Sequence, residues 1–172
     1  MSVSRRVARW ILKEEPRHYA WADLVRDGRT DWNGVHNPLA LRNLKSMSVG
    51  ERAIFYHTGT ERALVGLVKV LAEPRPDPTD PRGSWSVEVA PVRALRRPIS
   101  LTEVKADPAL AGSDLVRLPR LSVVRVPDDA WDRLLAHEDT AARPPPPLKG
   151  ARRGRSTAPA PPKRATAAPR RR

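Results

Sequence analysis

Apolar residues crowd or alternate in some stretches of this chain and recur every third or fourth position in others, and the two patterns predict strands and helices respectively. "VARWIL" (Val7 to Leu12) is a short β-like run, and "YAWADLVRDG" reads as a helix stopped by Gly28 at its C-terminal cap. "PLALRNLKSM" carries Leu41 and Leu44 three apart, with Pro38 suited to a first helical turn, and the turn "VGE" follows it. "RAIFYHT" (Arg52 to Thr58) and "RALVGLVKVLAE" (Arg62 to Glu73) are two β-rich runs joined across "GTE", which predicts a hairpin. Beyond the proline-rich "EPRPDPTDPRG", Trp85, Val87 and Val89 alternate with Ser86 and Glu88, as in a strand with one buried face. Ser100 and Glu103 have capping-box spacing before a short helix. "RLSVVRV" is a further strand, and "PDDAWDRLLAH" an amphipathic helix with acidic residues in its first turn. These elements predict an α+β fold: a mixed, mostly antiparallel sheet curled toward a barrel, with helices on its outside.

The pattern ends near residue 140. From Ala141 to Arg172 there are ten Lys or Arg, no Asp or Glu, and Leu148 as the sole large aliphatic residue. Such a segment cannot bury enough apolar surface to offset the entropy of ordering it. The expected organisation is therefore one domain over 1–140 and a disordered basic Pro/Ala/Arg-rich tail over 141–172. The formal net charge of +13 is concentrated in that tail, and the first 140 residues carry only +3. A basic tail without acids attracts polyphosphates generically, so it brings nucleic acid into view as a partner.

Composition also removes whole classes of chemistry. The chain has no cysteine, which excludes disulfides, thiolate nucleophiles and thiolate-bound zinc. His18, His36, His57 and His137 are scattered, without metal-ligand spacing, so no metal and no cofactor is expected. There is no phosphate-cradling glycine loop, dinucleotide fingerprint or Gly-x-Ser-x-Gly elbow around Ser122. No run is long and apolar enough for a membrane span or a secretory signal, which predicts a cytoplasmic protein, nucleoid-associated in a prokaryote or nuclear in a eukaryote. A monomer is expected.

One stretch is overloaded with special residues. "DWNGVHNPLALRNL" (Asp31 to Leu44) packs a Trp, an Asn-Gly pair, a His-Asn pair and a Pro ahead of a helix. Glycine, asparagine and proline set unusual backbone geometry, whereas Trp32, His36 and Asn37 bring an aromatic face and hydrogen-bonding groups. The stretch reads as the wall of a site.

The order "WILKEEP", "WNGVHN", a helix, "GERAIFYHTG", "VGLVKV", a Trp-containing strand and "LPRLSVV" resembles the EVE domain family, a branch of the PUA-like fold, over nearly all of residues 7 to 137. The family's Trp-x-x-Lys-x-Glu-Pro pattern falls on Trp10, Lys13, Glu15 and Pro16. Its Trp-x-Gly-Val-Arg-Asn pattern falls on Trp32, Gly34, Val35, His36 and Asn37, with His36 in place of Arg. Pro38, Leu39, Ala40 and Leu41 stand where many members have Tyr-Gln-Ala-Arg. Tyr-His-Ser becomes Tyr56, His57 and Thr58, and Arg-Leu-Ser-Val is intact as Arg120, Leu121, Ser122 and Val123.

The resemblance implies a PUA-like pseudo-barrel with flanking helices, related in shape to YTH domains, that holds a modified nucleobase, most often a modified cytosine in DNA. The implied pocket takes Trp10, Trp32 and Tyr56 as flat faces and Asn37, Thr58 and Ser122 as edge-reading groups. Lys13, Glu15, Gly34, Val35, His36 and His57 complete its lining. Phosphate contacts are expected from Lys13, Arg42, Lys45 and Arg120 and from Arg152, Arg153 and Arg155 of the tail. Trp21, Trp85 and Trp131 are assigned to packing, the commoner use of a large aromatic side chain. Two rival readings stand beside the non-enzymatic reader of modified DNA: a PUA-like RNA-binding module, and an enzyme on modified nucleic acid using His57 and Glu15 as acid and base.

Overall fold

The computed structural model of the chain describes residues 7–140, so the tail assigned to 141–172 lies outside the described residues. Strands β1 (Arg9–Glu14), β2 (Thr30–Trp32), β3 (Arg52–His57), β4 (Ala63–Val70), β5 (Arg75–Pro76), β6 (Trp85–Ser100) and β7 (Val123–Val126) form one curled sheet ordered β2-β6-β4-β3-β1-β7, with β5 paired to the start of β6. Helices α1 (Trp21–Asp27), α2 (Pro38–Lys45), α3 (Leu101–Ala106), α4 (Asp114–Arg117) and α5 (Asp128–Ala136) surround it, and a 3-10 turn at His137–Asp139 follows. β1 and β3 run parallel, and the other pairings are antiparallel.

Local chemistry sets several boundaries where the pattern predicts them. Asn37 caps α2, its side-chain oxygen accepting the amides of Leu39 (3.0 Å) and Ala40 (3.1 Å), and Pro38 fills the first helical position. Ser100 and Glu103 form a reciprocal capping box at α3. Gly28 closes α1 at φ 76°, a left-handed conformation that costs glycine least. The pattern misses β2, which overlaps the start of the overloaded stretch, β5, two residues in the proline-rich connector, and α4, a single turn. The alternation also covers only Trp85 to Val89 of the long strand, whereas β6 continues to Ser100 through bulges opposite Leu64–Gly66 and Leu67–Val68.

The parallel register decides which side chains share a face. Leu12 lies beside Phe55, Lys13 beside Tyr56 and Glu14 beside His57, and successive residues of a strand point to opposite faces. The Leu12, Glu14, Phe55 and His57 face is covered by Trp21 of α1 and Trp32 of β2, with ring centroids 5.9 and 5.4 Å from Phe55. On the opposite face, Ile11 and Val124 look toward Leu115 of α4 and Leu134 of α5. Arg9 lies over the Trp131 ring at 5.2 Å. A Cβ at Gly66 would sit 2.4 Å from the Trp21 ring, so only glycine lets that indole lie against β4.

An ion-pair network fastens the last described turn to β6. Arg93 grips Glu138 with two hydrogen bonds (2.9 and 2.7 Å), and the Arg96 amide adds a third (2.9 Å). Asp107 accepts from Arg133 Nε at 2.6 Å and lies 2.7 Å from His137 Nε2. The Arg133 guanidinium, with His137, holds the Asp107 carboxyl down to about 2, and Arg93 does the same for Glu138, also to about 2.

Both carboxyls therefore bind protons less readily folded than unfolded. Their stabilisation is complete above the ordinary carboxylate range near pH 4 and is lost as pH falls toward 2. Urea midpoints should fall through that window, and Asp107→Asn should lower the midpoint at pH 6 while flattening the acid-side fall. Gly66→Ala should destabilise by about 1–3 kcal/mol, the range for overpacking, with loss of the near-ultraviolet circular dichroism that ordered indoles produce.

Candidate functional site

The site is built where β1 ends. Past Glu14 the chain turns on the Glu15 carbonyl, which accepts the amides of His18 (2.9 Å) and Tyr19 (3.0 Å), and α1 then returns it to β2. Glu14, Tyr19, Thr30, Asp31, Trp32 and Asn33 thereby converge on a cavity of about 160 Å³, room for a single heterocycle and not for a whole nucleotide. Trp32 is buried and edge-on to Phe55, which also meets the His57 ring at 5.5 Å. This cluster packs the indole against the sheet.

Part of the polar lining is engaged. The Tyr19 hydroxyl donates to Asp27 (2.9 Å). Asp31 pairs through Oδ1 with Arg75 at 2.7 Å. Glu14 accepts the Glu15 amide through Oε1 at 2.8 Å.

The expected pocket residues are divided by the sheet. Trp32 lines the cavity. Trp10 does not serve as a face: it is fully buried, and its indole N–H donates to the buried Glu51 at 2.7 Å. Glu51 also accepts the amides of Ala8 and Ser48, so Trp10 and Glu51 form an internal tie between β1 and the turn before β3. Lys13 and Tyr56 lie together on the opposite face, with Nζ 5.7 Å from the Tyr56 ring and donating to the carbonyls of Leu118 (3.4 Å) and Pro119 (3.2 Å). Burial pulls the Lys13 ammonium down to about 8 and pushes the Tyr56 phenol up. Ser122 contributes its carbonyl to the Lys13 amide at 2.9 Å.

The rest of the motif is scaffold around Trp32. Gly34 takes φ 70°, which turns the chain so that Val35 is buried and its carbonyl accepts the Ser84 hydroxyl at 2.8 Å. His36 bonds to Asp80 through Nε2 and faces Arg82 through Nδ1 at 3.2 Å, so it fastens the proline-rich loop instead of reading a base. The Asn37 oxygen is spent on the α2 cap. His57 accepts the Trp21 amide at Nε2 (3.0 Å), so its proton sits on Nδ1, 2.6 Å from Glu61. Glu15 instead lies against Gly59 and accepts the Thr58 hydroxyl at 3.3 Å. His57 and Glu15 thus hold separate partners.

Arg42, Lys45 and Arg120 are exposed, with Lys45 over the Trp85 ring at 4.6 Å. Arg152, Arg153 and Arg155 lie outside the described residues. Among the described residues no cluster of His, Asp and Glu could hold a metal, and no helix is long and apolar enough to cross a membrane.

Sequence reasoning missed Glu14, Tyr19, Thr30, Asp31 and Asn33. Strand alternation does carry one signal, since Glu14 has the opposite parity to Lys13 and Glu15, but which face receives Trp32 depends on a contact with Phe55 that no local pattern contains. A larger cavity, about 500 Å³, opens on the other face among Ile11, Leu115, Val124, Val126 and Leu134. No aromatic side chain lines it, so it lacks the flat surface on which a base stacks.

Comparison with known proteins agrees with the architecture. A protein from Rhodopseudomonas palustris superposes with a TM-score of 0.73 at 33% identity, covering 77% of this chain and 94% of that one. Human thymocyte nuclear protein 1, solved in complex with 5-methylcytosine-containing DNA, superposes at 0.70 and 28% identity, covering 78% and 99%. In sequence the human protein is 31% identical over 165 residues, 76% of this chain and 73% of the relative. A YTH domain from Zygosaccharomyces rouxii, at 0.52 and 12% identity, shares the fold alone, which places the curled sheet among PUA-like α+β folds. The family model for the EVE domain matches residues 8–137, and the chain belongs to the EVE domain family.

Proposed function

We propose that this chain is a non-enzymatic reader that holds one modified base, a modified cytosine in DNA, in the cavity walled by Trp32. The observation that carries the reading is that cavity: a packed indole, a volume suited to one heterocycle and a polar rim, at the edge of the sheet. The DNA containing 5-methylcytosine that was solved with human thymocyte nuclear protein 1 supports the choice of ligand. The engagement of His57 and Glu15 by different partners speaks against the acid-base alternative, and incubation with modified oligonucleotides is expected to leave their mass unchanged.

Energetics assign the parts. Stacking on an aromatic wall is worth about 1–3 kcal/mol, whereas extruding a base from a duplex costs on the order of a few kcal/mol. One indole barely offsets extrusion, so phosphate contacts supply the remainder. Arg17 lies on the turn between Glu14 and Tyr19, exposed and without a carboxylate partner among the described residues, and joins Arg42 and Lys45 as a candidate. The tail, with its ten basic residues, supplies sequence-independent attraction.

Trp32→Ala should reduce the preference for 5-methylcytosine over plain cytosine in an oligonucleotide to near unity, measured by fluorescence polarisation. Unchanged preference would remove the pocket assignment. Trp10→Phe should cost about 1–3 kcal/mol in urea unfolding, because Glu51 is deprived of a donor, yet leave that preference intact. Truncation after Thr140 should weaken modified and plain oligonucleotides alike and make the slope of log affinity against log salt shallower by about 0.7–0.9 for each phosphate that is no longer neutralised.

A further inference from the structure

The cavity is biased in what it can offer a ligand's edge. The Tyr19 hydroxyl is committed to Asp27. Asp31 is paired through Oδ1 with the Arg75 guanidinium, which offsets its charge. Glu14 differs, because no Lys or Arg offsets it among the described residues: its Oε1 accepts the Glu15 amide and lies 3.9 Å from the exposed His18 ring, and its Oε2 takes no hydrogen bond. The Glu15 bond also orients the carboxylate, so its free oxygen is held in place instead of sweeping through solvent. An ionised carboxylate accepts hydrogen bonds and cannot donate them.

We infer that Glu14 reads the edge of the bound base and selects bases bearing an exocyclic amine over their oxo counterparts. The inference rests on the base-pocket reading and adds the specificity-determining residue. An amine such as cytosine N4 donates to Oε2, the pairing that carboxylates make with cytosine elsewhere. The keto oxygen of thymine or uracil would instead set lone pairs against the carboxylate. Discrimination is then both attractive and repulsive. The Glu14 side chain is 34% exposed, so solvent softens the penalty, and the expected ratio is about tenfold, the low end for a charge-assisted hydrogen bond.

5-Methylcytosine and thymine make a matched pair for the test: both carry the methyl group and differ only in amine against oxo at position 4 and in the proton on N3. Single-stranded oligonucleotides identical except for one such base are competed against a labelled probe, using the full chain, Glu14→Gln and Trp32→Ala. The wild type should prefer the 5-methylcytosine strand about tenfold. Glu14→Gln keeps the acceptor for the Glu15 amide but offers the ligand a donor as well, so its ratio should fall to within about threefold, with the thermal midpoint unchanged. Equal binding of the two strands by the wild type, or a ratio unmoved by Glu14→Gln, overturns the role of Glu14. If Trp32→Ala abolishes binding of the modified strand in that case, the pocket stands and only the edge-reading assignment fails. Unaltered binding by Trp32→Ala removes the pocket reading and this inference with it.

Discussion

The parallel pairing of β1 with β3 is the constraint on which the rest of the molecule depends. It sets Leu12 beside Phe55 and Glu14 beside His57, and it sends Lys13 and Tyr56 to the other face. A slip of one residue would exchange the two sets, drawing an ammonium under α1 and leaving a carboxylate among the side chains that meet α4 and α5. Parallel strands cannot be joined by a tight turn, and the crossover between β1 and β3 is the segment that contains α1, β2 and α2. The cavity is thus a by-product of the connection the pairing demands.

Around that connection, aromatic packing does what a disulfide or metal would do in a smaller domain. Trp21 lies against Gly66, Phe55 meets Trp21, Trp32 and His57 edge-on, and His57 takes the Trp21 amide. Each contact is modest, about 0.5–1.5 kcal/mol for an aromatic pair beyond its buried area. Together they pack Trp32 against the sheet. A second set of ties, His36 to Asp80 and Ser84 to the Val35 carbonyl, binds the proline-rich loop to the segment after Trp32. The motif therefore spends most of its special residues on holding the wall, and few on facing a ligand.

Much of the fold was legible because its signals are local. Continuous β-rich runs marked the β1, β3 and β4 segments, alternation marked the start of β6, and the caps at Gly28 and Ser100 stand where their chemistry predicted. The site was legible only in outline. Trp32 stands out through the density of turn-forming residues beside it, whereas Trp10 is misassigned because its partner, Glu51, lies 41 positions away and gives no sign at residue 10. Lys13 and Tyr56 group with Trp32 in sequence because motif membership says nothing about faces. Glu14 stands between two motif positions, and register alone distinguishes it.

All six residues lining the cavity fall between Glu14 and Asn33, a contiguous stretch of 20 residues. The sheet beneath draws its strands from the whole described length. The cavity lining is therefore encoded in a short cassette laid over a frame specified elsewhere. Exchange of that cassette between related chains would carry the cavity with it while leaving the sheet order untouched, provided the recipient keeps a glycine where Trp21 lies down and a phenyl ring where Phe55 receives the incoming indoles.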